Sequence, residues 1–178
     1  HNLPDKPTDF QVRIKIIEGR QLAGANISPV VKVTLGKEAK QTRVKSSTNR
    51  PHFDETFFFN FNMRPNELFD KVLNFEVLNS KLLADSMVGS FQCDVGLVYD
   101  GDNHALVRKW VLLTAPDDKM AGTKEEDEEG KKKSRSSNGK PGSDPAGYLK
   151  MTAIVLGPGD EIPDSVKSGG SDDSEDIE

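Results

Sequence analysis

Three histidines, His1, His52 and His104, and a single cysteine, Cys93, are the side chains best suited by type to nucleophilic or acid–base chemistry. Such chemistry needs a nucleophile, a base and an orienting group in mutual hydrogen-bond reach. Here the four residues fall in separate segments, and no Gly-rich phosphate loop follows a strand. Cys93 lies in an alternating stretch, which predicts a small buried hydrophobe and not a reactive thiolate. Alone, it forms no intrachain disulfide, as in a reducing cytosol. Asp100-Gly101-Asp102 offers a pair of carboxylates, but its composition is that of a solvated turn. The chain reads as non-catalytic, so its chemistry is that of surfaces.

Lys32, Lys40, Arg43 and Lys45, with Lys37 near them, are the candidate basic face. Against anionic lipid headgroups each such charge is worth about 1 kcal/mol. The competing reading is a solvated sheet face of mixed charge. Ile27, Leu82 and Leu83 stand among polar residues in two irregular stretches. They are candidate membrane-facing loop tips, with folding back onto the core the competing and favoured fate.

Short strands must position these groups. Residues 9–19 alternate, with Phe10, Val12, Ile14 and Ile16 on one face and Gln11, Arg13 and Lys15 on the other. In 30–35, Val31, Val33 and Leu35 point inward. The basic stretch 40–45 places Thr42 and Val44 on a buried side and Gln41, Arg43 and Lys45 on an exposed one. A turn over 49–55 leads to the aromatic run in which Phe57, Phe59 and Phe61 share the core face. Pro65 to Phe69 can make one helical turn, with Pro where its missing N–H does no harm. Further strands follow at 72–78 (Leu73, Phe75 and Val77 inward), 87–95, 107–113 (Trp110 and Leu112 on one face) and 147–156 (Leu149, Met151, Ala153 and Val155 on one face). Residues 79–86 and 96–105 read as irregular connections. Eight strands with almost no helix predict an all-β, eight-stranded antiparallel β-sandwich.

Composition divides the chain. Its 178 residues carry a net charge of −5, but residues 1–115 hold 15 basic and 13 acidic side chains, whereas 116–178 hold 9 and 16. The acidity therefore belongs outside most of the sandwich. About 117–146 reads as a disordered insert, because Glu125 to Glu129 and Lys131 to Lys133 supply nothing to bury. Residues 1–8 form a Pro-punctuated lead, and 157–178 an acidic disordered linker. No apolar run approaches the roughly 18 residues of a transmembrane helix, and no signal peptide is visible. Starting at His1, the sequence reads as a piece of a longer protein.

Phe10 to Leu22, Pro29 to Val33, Phe53 to Phe59, Met87 to Phe91 and Arg108 to Leu113 together resemble the C2 domain, over residues 9–156. Beginning with the strand that carries Glu18 to Leu22 and ending with Gly147 to Lys150 resembles its type II topology. More narrowly, Pro7 to Val12, Asn66 to Asp70, Asp94 to Tyr99 and Leu156 to Glu161 resemble the second C2 domain of ferlins, large tail-anchored proteins with several C2 domains. The resemblance implies calcium-regulated membrane fusion, vesicle trafficking and membrane repair at the cytoplasmic face of the plasma membrane or vesicles. The partner expected is an anionic phospholipid membrane; in the rival reading the module is a protein-interaction scaffold with no direct lipid binding, whose basic face meets an acidic protein or other domains of the same parent, and neither reading involves nucleic acid. Calcium-binding C2 domains use about five loop carboxylates, because this hard cation takes six to eight oxygens. At the matching positions stand Asn26 and Ser28 in one loop and Asn79, Lys81, Asp85 and Ser86 in the other. With one carboxylate left and a lysine opposed to the ion, no calcium and no other cofactor is expected.

Overall fold

The computed structural model describes residues 3–117 and 144–167. Eight antiparallel strands, β1 (Thr8–Arg20), β2 (Pro29–Leu35), β3 (Glu38–Gln41), β4 (His52–Met63), β5 (Val72–Asn79), β6 (Ser86–Asp94), β7 (Ala105–Thr114) and β8 (Pro145–Leu156), run in the spatial order β3-β2-β5-β6-β7-β8-β1-β4. The two halves of that order are the layers of a sandwich. A single pairing, Ser90 with Thr114, hands the sheet from β6 to β7. The expected fold is the observed one, an all-β C2-type sandwich with a first strand at the centre of its layer.

Strand β1 owes that central place to its pattern. Val12, Ile14 and Ile16 are fully buried and pair with Phe59, Phe57 and Glu55 on β4 and with Val155, Ala153 and Met151 on β8. From the opposite layer Val31, Val33, Leu35, Leu73, Phe75 and Val77 complete the core. Each large side chain so buried contributes about 1.5–3 kcal/mol. A bulge at Ile17 shifts the register after Ile16, so that Glu18 and Arg20 both lie on the outer face, opposite Lys150 and Tyr148.

Two expectations fail for local reasons. Val44 is exposed, not buried. Regular pairing of β3 ends at Gln41; Thr42 N–H still bonds to Val31 O, but Lys45 N–H bonds to Pro29 O, one residue out of step. That extra residue reverses the alternation, so Thr42 is buried and Val44 is not. The stretch after β6, expected to be irregular, holds the helix α2 (Val95–Tyr99). Five residues carry too little propensity to announce a helix. Contact with α1 (Pro65–Phe69) forms it: Val95 N–H bonds to Lys71 O, and Phe69 stacks on Tyr99 at 4.4 Å.

Gly147 explains how β8 can start hard against the loop after β1. Its φ is +126°, and a Cβ there would lie 2.8 Å from Gln21 O. Strand β8 begins at Pro145, two residues earlier than expected, within the stretch read as insert. The rest of that insert, 118–143, and residues 168–178 of the expected linker lie outside the described residues. Residues 164–167 form a short helix, α3 (Asp164–Lys167), held by a hydrogen bond from Arg108 Nη1 to Ser165 O.

The two ends of the insert meet: Thr114 pairs with Pro145, and Ala115 N–H bonds to Asp144 O at 2.8 Å. Joining Asp117 to Asp144 through a short Gly-Ser linker should therefore leave the melting midpoint within about 5 °C. Calorimetry showing loss of a cooperative transition would contradict this.

Candidate docking surfaces

Three loops come together at one end of the sandwich, and Ser28 ties them. Its N–H donates to Asn79 Oδ1 at 2.9 Å, its carbonyl accepts from Ser80 N–H at 2.9 Å, and its hydroxyl accepts from Ser47 N–H at 3.2 Å. Asn79 and Ser28, the positions where the family's acids would lie, thus spend their oxygens on the loops themselves. Asp85 accepts from Lys81 N–H at 3.3 Å. Asn26 is exposed and in the left-handed region at φ 52°, and Ser86 is half-buried at the start of β6. Among the described residues, no three His, Cys, Asp or Glu side chains stand close enough to hold a metal ion. The donor set does not fit calcium: it offers one carboxylate, and Asn79 Oδ1 and the Ser28 hydroxyl already accept hydrogen bonds from the loops.

The apolar candidates part company. Ile27 is buried, correcting its place among the loop tips. Gly24 at φ +116° and Asn26 turn the loop inward, and Thr48 N–H bonds to Ile27 O, which seats the side chain in the core. Leu82 and Leu83 do the reverse of folding back: they are 105% and 100% exposed. The bonds at Ser28 and Asp85 hold the stem of the β5–β6 loop while its tip projects.

The four basic residues do not share one face. Lys32 lies on the outer face of its layer, between Gln41 on β3 and Glu76 on β5. Lys40 pairs with Val33 on the inner side, and its ammonium lies 5.5 Å from the Phe59 ring centre, closing the open edge between β3 and β4. Arg43 is exposed, its backbone N–H bonded to Glu55 Oε2, and Lys45 is half-buried near the loop end. Acids accompany Lys32 and Arg43, so this surface has mixed charge.

A second cationic surface lies where the linear pattern does not point. The outer face of the β7-β8-β1-β4 layer carries Arg13, Lys15, Arg20 and Lys150, with Glu18 buried beneath Arg20. Trp110 and Leu112 do share a face, and it is this one. Signals for it exist in the alternation of Arg13 and Lys15 and of Tyr148 and Lys150. What brings them together is strand order, which no local pattern encodes.

The catalytic candidates stay apart. His52 opens β4, with Nδ1 3.7 Å from Glu18 Oε2, whereas His104 precedes β7, its Nδ1–H donating to Tyr99 O at 2.6 Å and its ring stacked on Tyr99. Burial, then Asp160 and Asp100, push the Tyr99 hydroxyl pKa up. His1 lies outside the described residues. Asp102 opens a 3-10 turn and Asp100 caps α2, as suits a turn. Cys93 is buried on β6, as expected, and burial followed by Asp94 pushes its thiol up to about 11.

Two packed antiparallel layers in the strand order β3-β2-β5-β6 and β7-β8-β1-β4 are those of the C2 fold. The pair of calcium-bound C2 domains of extended synaptotagmin 2 superposes with a TM-score of 0.59 at 18% identity, over 85% of this chain and 44% of that one. The chain belongs to the C2 domain family, whose model matches residues 10–113, and within it to the ferlins. It is 47% identical over 162 residues to myoferlin of Xenopus tropicalis, covering 90% of this chain, and 44% identical over 177 residues to myoferlin of Homo sapiens, covering 99%. In each case the chain spans 7% of the relative's length. A FerI domain model matches residues 140–178, from before β8 through the acidic tail. No helix among the described residues is long and apolar enough to cross a membrane.

A thiol at about 11 is almost wholly protonated at pH 8, about a hundredfold less ionised than one at the ordinary 9.0. Alkylation of Cys93 at pH 8 should run at least about 100-fold slower in the folded chain than in urea. Because the folded pKa is raised, the stabilisation is complete below the unfolded value and lost as pH rises from about 9 to 11. Equal alkylation rates would contradict the burial.

Proposed function

We infer that this ferlin C2 module is a non-catalytic membrane-docking domain, which inserts the Leu82–Leu83 tip into a phospholipid surface without calcium at its own loops. The observation that carries this reading is the complete exposure of two adjacent leucines at the end of a hydrogen-bonded stem. Water around two leucines is costly, and transfer of each to an apolar phase is worth about 1.5–3 kcal/mol. A stem ordered by its own hydrogen bonds needs no cation to present the tip. Lys81, Lys45 and Arg43, all near the loop end, then add attraction to anionic headgroups. The parent protein is placed by this reading at the cytoplasmic face of the plasma membrane or vesicles, in membrane fusion, vesicle trafficking and repair.

Changing Leu82 and Leu83 together to Ser should weaken flotation with anionic phosphatidylserine vesicles by at least about tenfold and move the melting midpoint by less than about 2 °C, since neither side chain is packed. Undiminished flotation would remove the tip from the interface. In a parallel titration, 1 mM calcium should neither strengthen vesicle binding nor raise the midpoint: a site with a millimolar dissociation constant supplies only about 0.4 kcal/mol. A micromolar calorimetric isotherm would show that the loops open to admit the ion.

A further inference from the structure

The outer face of the β7-β8-β1-β4 layer holds a cluster that membrane docking through the loop tip leaves unused. Trp110, the chain's single tryptophan, is 39% exposed, with Leu112 at 45% and Tyr148 at 41% beside it on the paired strands. Two cations flank the indole: the Arg20 guanidinium carbon lies 4.7 Å and Lys150 Nζ 5.6 Å from its ring centre. Arg20 makes one ion pair, from Nη2 to Glu18 Oε1 at 3.5 Å, and its Nε is buried, which leaves the Nη1 donors open. Lys150 makes no ion pair among the described residues. Lys15 and Arg13 continue the positive charge along β1; of the acids on this face, Glu18 is buried beneath Arg20, and Asp9, at the other end of β1, accepts from Asn62 Nδ2 at 2.7 Å.

We propose that this face is a second docking surface, which binds an acidic peptide segment of a protein partner, carrying an aliphatic or aromatic side chain between its carboxylates. Arg20, held over Trp110 with its Nη1 donors unused, suits a carboxylate, and Lys150 a second one. Trp110, Tyr148 and Leu112 receive the apolar side chain between them. Tryptophan, tyrosine and arginine are the residues that dominate protein–protein hot spots. A bilayer is the poorer occupant. These rings sit on the face of a sheet and are only two-fifths exposed, whereas a lipid phase is met by projecting groups such as Leu82 and Leu83. The two surfaces lie on different parts of the sandwich, one at the loop end and one on a layer's outer side, so both can be occupied together.

The sole tryptophan reports on this site alone. Synthetic dodecamers rich in Asp and Glu, free of Trp and with a central Leu, Phe or Leu-Phe pair, are titrated into the full chain while indole emission is followed. At least one peptide of this panel should shift the emission saturably with a dissociation constant below about 100 μM, and its Asn/Gln counterpart should not. Arg20→Gln with Lys150→Gln should weaken that binding at least tenfold; Lys150→Glu alone, at a half-buried surface position that leaves Glu18 its partner, should weaken it at least fivefold. The Leu82→Ser, Leu83→Ser variant should bind the peptide unchanged, which separates this surface from the loop tip. No saturable shift up to 1 mM for any acidic peptide would overturn the proposal. So would a shift caused by anionic vesicles and lost on Lys150→Glu, which would make the face a lipid contact.

Discussion

Ser28 is the point at which the loop end of this sandwich is fixed. A calcium-binding C2 loop set is held open by carboxylates that repel one another until the ion arrives. Here the amide oxygen of Asn79 takes the Ser28 N–H, the Ser28 carbonyl takes Ser80 N–H, and its hydroxyl takes Ser47 N–H. Three segments distant in sequence are thereby tied by neutral hydrogen bonds, each worth about 0.5–1.5 kcal/mol net. The β5–β6 stem is ordered from within the chain, and its two leucines stand in water with nothing to pack against.

That arrangement divides the labour of the domain. The core depends on the long central strand β1, whose inner residues are sealed from both sides by β4 and β8. Because the bulge at Ile17 carries Glu18 and Arg20 to the outer face, the same strand also anchors the cationic–aromatic surface around Trp110. Loop end and layer face thus draw on separate residues, and a change at one need not disturb the other.

Much of this architecture was legible in the chain. Strict alternation fixes the inner faces of β1, β2, β5 and β8, because a one-residue slip would expose every buried side chain. The failures have the same root: they are set by contacts between segments. Val44 is misplaced by one extra residue beside Pro29, and α2 forms only because α1 lies against it. Ile27 and Leu82 are both apolar residues in polar loops, yet Gly24 and Thr48 turn the first inward. Lys32 and Lys40 look equivalent on a linear count but lie on opposite sides of one layer. Arg20, Trp110 and Lys150, by contrast, are brought together only by strand order.

Depth measurement at the tip tests the central claim most directly. With Cys93 changed to Ala and an environment-sensitive fluorophore on a cysteine replacing Leu83, anionic vesicles should shift the emission strongly to the blue in the presence of a calcium chelator, and a label replacing Gln11 on the layer face should not respond. A shift at residue 83 that needs calcium, or none at all, would contradict a tip ordered by its own hydrogen bonds and presented to the membrane without the ion.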